Sequence, residues 1–439
     1  MRVRRPLRWT APVAVLYLLL LVDWRGAPDP PAPVVRRAFE VSAPLSAGAA
    51  RVRLDPPLPV VRAGYARPKA VATSERDPLE VRAVVLQAGG HALALVLVDL
   101  VLVPEELVSG LESRLADLRL DAVVLGATHT HSSMGGFDRR LLAQAAGTGR
   151  YRPDVVARLL DRSEQAVRQA ARKAEHVRVR SAETRLIGWA ENRSTPGAPV
   201  DDALTVAELR SDAGARVAAI AVLAAHPTLL PRTAPELSAD YPGVAMRRLG
   251  ADGEPALLFQ GAEGDARPPG MGVDAIERDG ALVAQRVAET LAGAREAEDR
   301  LGLAEAEIGL PPAEPQLIRS FLLRRPAANV VEWLAPTSAR VTVVTLGDLM
   351  LLGVPGEPTA LAASHMVAAL PAVAVKGRRT RVLGLTQGYI GYIDTPERVR
   401  AGHGEARRAW FAPELLDTVT RGLVAAVSAR LPRTADQAQ

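Results

Sequence analysis

Apolar segments that alternate with amphipathic segments constrain the fold of this chain more than any other sequence feature. From about Arg36 onward, strand-like apolar runs such as Val81–Val103 are followed by segments of helical periodicity such as Pro104–Leu120. The alternation continues through a long helix predicted at Pro153–Val177 and a closing helix predicted at Pro413–Leu431. The sequence therefore predicts an α/β protein with large mixed β-sheets flanked by helices.

The composition excludes several classes of function. Hydrophobic residues make up 48% and charged residues 23% of the 439 residues, which is typical of a globular chain that buries a sizeable core. The net charge of +5 is small, and the arginines alternate with acidic residues without any nucleic-acid-binding motif, so we expect no nucleic-acid partner. Because there is no cysteine, any metal must be held by histidine, carboxylate, tyrosine or backbone oxygen.

The first 38 residues differ from the rest of the chain. Residues 1–25 contain a basic stretch followed by an apolar run from about Thr10 to Val22, which predicts a signal peptide or, alternatively, an uncleaved membrane anchor. Residues 26–38 read as a proline-rich linker, and residues 39–435 as the folded unit. We therefore expect an exported protein, either periplasmic or extracellular, or one anchored to the membrane.

Several apolar strands end in a polar or glycine-rich cluster. Ligands of open α/β sheets bind beyond the carboxyl ends of the strands, so these endings predict one convergent site, which would be a metal site. The endings are His129, His226, the segment QGAEGD at 260–265, Glu357 and Tyr389.

The segment GATHTHSSMGG, residues 126–136, is the richest of these endings. Neutral imidazole is a common metal ligand, and spacing two residues apart in an extended segment points both side chains to one face. We interpret His129 as the metal ligand and His131 as the group that moves a proton. Gly135 and Gly136 would let a substrate approach the backbone closely.

His226 and Glu357 have a common sequence context, since each follows an apolar strand and precedes a proline. Each has a simpler interpretation: His226 could be a hydrogen-bonded core histidine, and Glu357 could cap the helix that follows it. A carboxylate is costly to bury without a cation, however. Together with His129 they form a set that suits catalytic zinc, which keeps one position open, or ferrous iron.

Seven motifs, taken in order, resemble those of the neutral/alkaline non-lysosomal ceramidase family. The resemblance extends from about Val61 to Leu431 and implies a zinc-dependent hydrolase that cleaves an N-acyl amide, with a small-molecule or lipid substrate, at a membrane surface. The motifs are THTHSSMGG, NRSTP, AAHPTLL, SADYPG, GAEGD, GVPGEPT and GLTQGYIGYIDTPE.

The resemblance also assigns roles to individual residues. It implies that the zinc ligands are His129, His226, Glu357 and Tyr392, with Tyr389 as the alternative for the last position. It implies that His131 is the catalytic acid and base, and that Arg193 is a catalytic residue that also binds substrate.

Three departures from the family pattern affect the expected substrate. Arg267, in GDARPP, replaces the family serine, and a late tyrosine-containing segment reads GHGEARRAW. We also expect no C-terminal immunoglobulin-like domain. From Arg267 we expect a substrate-binding cation beside the metal that disfavours ceramide and favours an anionic N-acyl substrate, unless it pairs with Glu263 or Asp265. An alternative hypothesis is a catalytically silent relative that binds a lipid or cell-wall ligand at the membrane.

Overall fold

Two mixed β-sheets form the frame of the protein. A computed structural model describes residues 30–66, 70–250, 253–317 and 321–431, with the side chains of 321–324 left out. The signal or anchor segment predicted at 1–25 lies outside the described residues. None of the helices within the described ranges is long and apolar enough to cross a membrane.

The larger sheet has nine strands, with an antiparallel centre and a parallel pair at each edge. The short strand Arg295–Glu296 pairs with Glu175–Arg185 beside the main path. Along that path the strands are Ala256–Gln260, Arg216–Leu223, Ala203–Ser211, Glu175–Arg185, Leu45–Arg53, Glu80–Ala88, His91–Val98 and Ala122–Ala127.

The smaller sheet has five strands, and its last two run parallel. The first strand begins at Val34, so the predicted linker at 26–38 is too long and residues 34–38 belong to the sheet. The apolar and β-branched residues that follow the last proline of this segment favour a strand. In spatial order the strands are Val34–Ser42, Arg300–Gly309, Ser338–Leu346, Leu349–Gly353 and Arg379–Leu383.

Four further pairs of two-residue strands connect loops that lie outside the two sheets. They are Val60–Val61 with Val71–Ala72, Ser74–Glu75 with Glu236–Leu237, Glu191–Asn192 with Ala266–Arg267, and Glu357–Pro358 with Tyr392–Ile393.

The helices follow the predicted periodicity but end earlier than predicted. The helix predicted at Pro153–Val177 stops at Arg172, because residues 175–177 pair in the larger sheet. The α-helices are Glu105–Arg114, Leu141–Ala143, Pro153–Arg172, Asp240–Leu249, Val273–Ala292, Phe321–Leu334, Ala360–Ala368, Ala372–Val375, Pro396–Ala401 and Leu415–Ser428, with 3₁₀ turns at Ala116–Leu118 and Gly404–Arg408 and a π turn at Gln144–Thr148.

The sheets and helices stack in layers. Alternate residues of His91–Val98 point into two different cores, one beneath the helix Pro153–Arg172 and one between the two sheets. The outer face of the smaller sheet packs against Ala360–Ala368 and Leu415–Ser428. The predicted fold class, α/β with large mixed sheets flanked by helices, is confirmed.

The two sheets meet at the carboxyl ends of their edge strands. The Gln387 backbone N–H donates to the Leu125 carbonyl at 2.9 Å, and the Ala127 N–H donates to the Leu385 carbonyl at 3.2 Å. The Gly384 N–H donates to the Gln260 carbonyl at 3.0 Å. These bonds bring the polar endings of both sheets to one place, as open α/β sheets do at their ligand sites.

Candidate metal centre

His129 stands just beyond the strand Ala122–Ala127 in a left-handed conformation, with φ of 68°. The HTH segment is therefore turned rather than extended at His129. Such a conformation costs a β-carbon-bearing residue about 1–2 kcal/mol and persists where the surroundings impose it. Nδ1 lies 2.6 Å from the Val101 carbonyl, so it carries the proton and leaves the Nε2 lone pair free.

His226 is fully buried and is fixed in the same tautomer. Its Nδ1 donates to the Glu263 carbonyl at 2.8 Å, and its Nε2 lies 3.1 Å from Oε2 of Glu357. Burial, reinforced by the Arg193 guanidinium, lowers the pKa of His226 to about 3. The imidazole is thus neutral, with an unshared electron pair facing a carboxylate.

Glu357 is held between these imidazoles and a phenol. Its Oε2 lies 3.4 Å from Nε2 of His129, and its Oε1 accepts a hydrogen bond from the Tyr389 hydroxyl at 2.5 Å. The simpler interpretation of Glu357 as a helix cap is wrong, because Thr359 is the N-cap and accepts from the Ala362 N–H.

These three side chains fit a divalent metal ion. The two Nε2 atoms and Oε2 are all electron-pair donors, 3.1–3.4 Å from one another along the two measured edges. A tetrahedral zinc with bonds of about 2.0–2.1 Å has ligand–ligand edges of about 3.3 Å. Both histidines also donate their other N–H to a backbone carbonyl, which orients the ring of a metal-binding histidine. His129, His226 and Glu357 could therefore hold one ion together.

The two candidate tyrosines occupy different places. The Tyr389 hydroxyl is engaged by Glu357, whereas the Tyr392 hydroxyl lies 3.5 Å from Nε2 of His226. Tyr392 also accepts a hydrogen bond from Nη2 of Arg193 at 2.6 Å. The geometry thus favours Tyr392 over Tyr389 as a fourth group facing the same point.

Arg193 is largely buried, with 13% of its side chain exposed, although it is a cation. Its Nη2 also pairs with Glu405 at 3.0 Å, and its guanidinium lies 5.6 Å from the centre of the Tyr392 ring. Burial lowers the pKa of Arg193, but Tyr392 and Glu405 more than compensate, so it stays charged. Arg193 lines the cavity above the centre rather than the outer surface of the protein.

His131 also lies at the centre, since its ligand nitrogen and those of His129 and His226 all lie within 4.8 Å of one another. Its Nε2 is 3.3 Å from Nε2 of His129, and its buried Nδ1 has no hydrogen-bond partner among the described residues. Burial and the neighbouring imidazoles lower the pKa of His131 well below its usual value. Its ring packs against Gly64, where an added β-carbon would lie 2.7 Å from ring atoms. His131 is a neutral base that faces the cavity.

A cavity of about 880 Å³ opens above these side chains. Its floor is polar and its walls are largely apolar, which is common for sites that bind organic ligands. Floor and wall residues include His129, His131, Arg193, Glu357, Tyr389 and Tyr392, together with Leu142, Leu317, Leu334, Trp410 and Phe411.

This chain is similar to known ceramidases in sequence over part of its length and in fold. Residues 56–262 match the family model described as neutral/alkaline non-lysosomal ceramidase, N-terminal. The predicted family resemblance is confirmed. Two solved structures, the neutral ceramidase from Pseudomonas aeruginosa and a ceramidase complexed with C2, share the fold with TM-scores of 0.75 at 18% identity. The matches cover 90% of this chain and 76% and 77% of those chains. No curated protein matches the chain.

The fold is thus that of the two solved ceramidases, and residues 56–262 are similar to the family model, but the structure does not bring Arg267 to the centre. Its side chain is 52% exposed and pairs with Glu191 at 2.8 Å, rather than with Glu263 or Asp265. The expectation of a cation beside the metal is therefore wrong. Arg267 lies in a two-residue strand, in which Ala266 faces the interior and Arg267 faces solvent.

Gly135 and Gly136 also differ from their predicted role. A β-carbon on Gly135 would lie 2.4 Å from the Thr148 carbonyl oxygen and 2.9 Å from that of Val61. Gly136 has φ of 91° and packs against Arg152. Neither lines the cavity, so these glycines let the chain pack against itself rather than against a substrate.

Two residues without a predicted role, Glu263 and Glu405, also contribute to the centre. Glu263 is fully buried, and its carboxylate falls in a group with His129 and Glu357. Glu405 holds Arg193 from the segment GHGEARRAW. The strand ending QGAEGD indicated that Glu263 could lie at the site. Nothing in the sequence indicated that Glu405 would pair with Arg193, because the two residues lie 212 positions apart.

Proposed function

We propose that this protein is a zinc-dependent hydrolase that cleaves an N-acyl amide bond. The observation that carries the proposal is the meeting of the Nε2 atoms of His129 and His226 with one carboxylate oxygen of Glu357, beneath a cavity that His129 and Glu357 line. In the proposal His129, His226, Glu357 and Tyr392 hold the ion. A bound zinc ion lowers the pKa of water and polarises a carbonyl group.

His131 carries the proton in this reaction. It is neutral, it lines the cavity, and its Nε2 lies on the side of the metal centre, 3.3 Å from Nε2 of His129. It takes a proton from the water that attacks the acyl carbon and delivers it to the amide nitrogen. The C–N bond breaks as the C–O bond forms, and the products are a carboxylic acid and an amine.

Arg193 acts on the acyl oxygen and on Tyr392. Glu405 forms an ion pair with Arg193 and holds its guanidinium in place at the cavity wall. The guanidinium can therefore stabilise negative charge that develops on the substrate oxygen. Its hydrogen bond to the Tyr392 hydroxyl keeps the phenol oxygen oriented toward His226.

An uncharged lipid amide suits the cavity better than an anionic one. The exposed position of Arg267 removes the reason to expect an anionic group in the substrate. Leu317 lines the cavity and is 67% exposed, and Leu141 and Trp333, next in the chain to the lining residues Leu142 and Leu334, are 65% and 81% exposed. An apolar rim of this kind favours contact with a membrane surface, from which a lipid amide could enter. A signal or anchor in residues 1–25 would bring the protein to such a surface outside the cytoplasm.

The second candidate function is a catalytically silent relative that binds a lipid or cell-wall ligand. This candidate is favoured by the position at which the family has a serine. In this chain Arg267 occupies that position, and its side chain turns outward and supplies no hydroxyl to the cavity. The two candidates differ in turnover, not in the ability to bind.

His131→Ala separates these candidates, with His176→Ala as the matched surface control. We expect the wild-type protein and His176→Ala to bind zinc and to release amine from a panel of N-acyl amides. We expect His131→Ala to keep its zinc and to lose at least about 100-fold in turnover. Zinc-loaded wild-type protein that binds an amide without cleaving any of the panel would support the silent relative. Wild-type protein that binds no zinc after metal is added would contradict the hydrolase.

A further inference from the structure

Glu263 is an acidic residue with an unusual environment. It follows the strand Ala256–Gln260, its side chain is fully buried, and neither carboxylate oxygen has a hydrogen-bond partner among the described residues. Its backbone is well fixed, since its carbonyl accepts from Nδ1 of His226 at 2.8 Å and from the Ala266 N–H at 2.9 Å.

The space around this carboxylate is preserved by a glycine. A β-carbon on Gly384 would lie 2.6 Å from Oε2 and 3.1 Å from Oε1 of Glu263. The backbone at Gly384 therefore leaves room for the carboxylate but donates no hydrogen bond to it.

Other buried acids near the centre are satisfied, which makes Glu263 an exception. Glu405 accepts from Ser194, Arg193 and Arg408, and Asp265 accepts from Asn192 and the Ala360 N–H. An unpartnered buried carboxylate is costly in free energy, and a cation is the partner that most reduces the cost. Burial itself raises the pKa of Glu263 well above its usual value.

The direction of the carboxylate identifies where that cation would lie. One ligand atom from each of Glu263, His129 and Glu357 lies within 4.8 Å of the other two. The imidazole and the second carboxylate in this group are those that face the candidate metal centre.

We propose that Glu263 is a further carboxylate ligand of the divalent ion at this centre. The inference rests on the proposed function, because it concerns the same ion. It gives the centre two carboxylates beside His129 and His226, which balance the charge of a divalent cation. More oxygen ligands favour coordination numbers above four, so the centre would accept Co²⁺ or Mn²⁺ in addition to zinc.

The test uses the full chain, freed of metal and titrated with Zn²⁺ or Co²⁺ against a competing chelator. Glu263→Gln removes the charge at nearly constant shape, and Glu191→Gln makes the same chemical change at an exposed site. We expect Glu263→Gln to weaken binding of both metals by about 10–100-fold and to intensify the Co²⁺ visible absorption as the coordination number falls. Glu191→Gln should bind like the wild type.

Glu263→Leu provides an independent readout, which a purely structural role would not produce. Replacing an unpartnered buried carboxylate with an apolar residue of similar size should leave the thermal midpoint of the metal-free protein unchanged or raise it. We expect the same variant to bind metal at least about 10-fold more weakly, so the two effects would run in opposite directions.

The outcomes distinguish this inference from the proposed function. If wild-type protein binds metal, and both Glu263 variants bind it with unchanged affinity and an unchanged Co²⁺ spectrum, Glu263 is not a ligand but the hydrolase proposal stands. If wild-type protein binds neither metal, both proposals fail.

Discussion

Two clusters of buried charge lie close together in this protein, and they differ in how their charges are balanced. In the first, the Arg82 guanidinium is 1% exposed and bonds to Asp99 at 3.1 Å and Glu80 at 2.6 Å. The second is the candidate metal centre, where Glu263 and Glu357 lie beside the imidazoles of His129 and His226.

The difference shows what buried charge can indicate. The Arg82 cluster contains its own cation, so its role is complete within the chain and requires no ligand. At the metal centre the acceptor atoms face one another, and the nearest cation, Arg193, is engaged by Tyr392 and Glu405. A buried cluster that lacks an internal counter-charge is therefore the better indicator of a binding site.

The largest effect on stability is expected from Arg82→Met. Removing the guanidinium leaves Asp99 and Glu80 without their buried counter-charge, which should lower the free energy of unfolding by about 3–5 kcal/mol. Urea denaturation of the metal-free protein measures this, with Arg172→Met as a control at an exposed position. A loss below about 1 kcal/mol would show that this cluster does not depend on its internal cation.

Glu357→Gln should affect metal binding rather than folding. The neutral amide should weaken zinc affinity by more than about 100-fold, because a charged ligand is lost. The unfolding free energy of the metal-free protein should change by about 1 kcal/mol or less. Chelator competition and urea denaturation provide the two measurements. Full zinc occupancy in Glu357→Gln would remove Glu357 from the centre.

The third prediction concerns pH and His226. Its folded pKa of about 3 lies below the ordinary value of 6.5, so below pH 6.5 the unfolded chain binds a proton that the folded chain does not. Stability of the metal-free protein should therefore fall as pH drops from about 6.5 toward 3, by at most about 1.4 kcal/mol per pH unit from this group.

His226→Asn tests this by removing the titrating group. Unfolding free energies measured between pH 4 and 7 should depend less steeply on pH in His226→Asn than in the wild type, while His176→Asn should follow the wild type. Equal slopes in the wild type and His226→Asn would mean that His226 is not held neutral by burial.

The smallest effect is expected from Arg267→Ser. Arg267 and Glu191 form an exposed ion pair, and such pairs contribute little, so the unfolding free energy should change by about 0.5 kcal/mol or less. The ratio of kcat/KM for a neutral and an anionic N-acyl amide should also stay the same. A shift of that ratio would place Arg267 in contact with substrate after all.

Much of the fold was predictable from local sequence patterns. The predicted hairpin within Val81–Val103 forms with its turn at Gly89-Gly90, and both glycines have positive φ. Helical periodicity located Pro153–Arg172 but not its end, since the residues after it are recruited by neighbouring strands. Pairing with distant strands decides such boundaries, and the local pattern does not contain it.

Local sequence is enough to show which chain segments end in polar groups, and these endings carry His129, His226, Glu357 and Tyr389, whereas Tyr392 was implied only by the family resemblance. An apolar run followed by a histidine or a carboxylate is a local property, so it can be recognised without knowledge of the fold. That these endings meet follows from the general geometry of open α/β sheets.

Only the tertiary structure decided which neighbouring side chains face the centre. Glu263 and Arg267 are four residues apart in one loop, yet Glu263 is fully buried and Arg267 reaches out to Glu191. Their directions depend on contacts with segments far away in the chain: Gly384 leaves space for Glu263, and pairing with Glu191–Asn192 turns Arg267 outward. The physical reason is that side-chain direction in a loop is set by whatever packs against its backbone, and those partners are fixed only when the chain has folded.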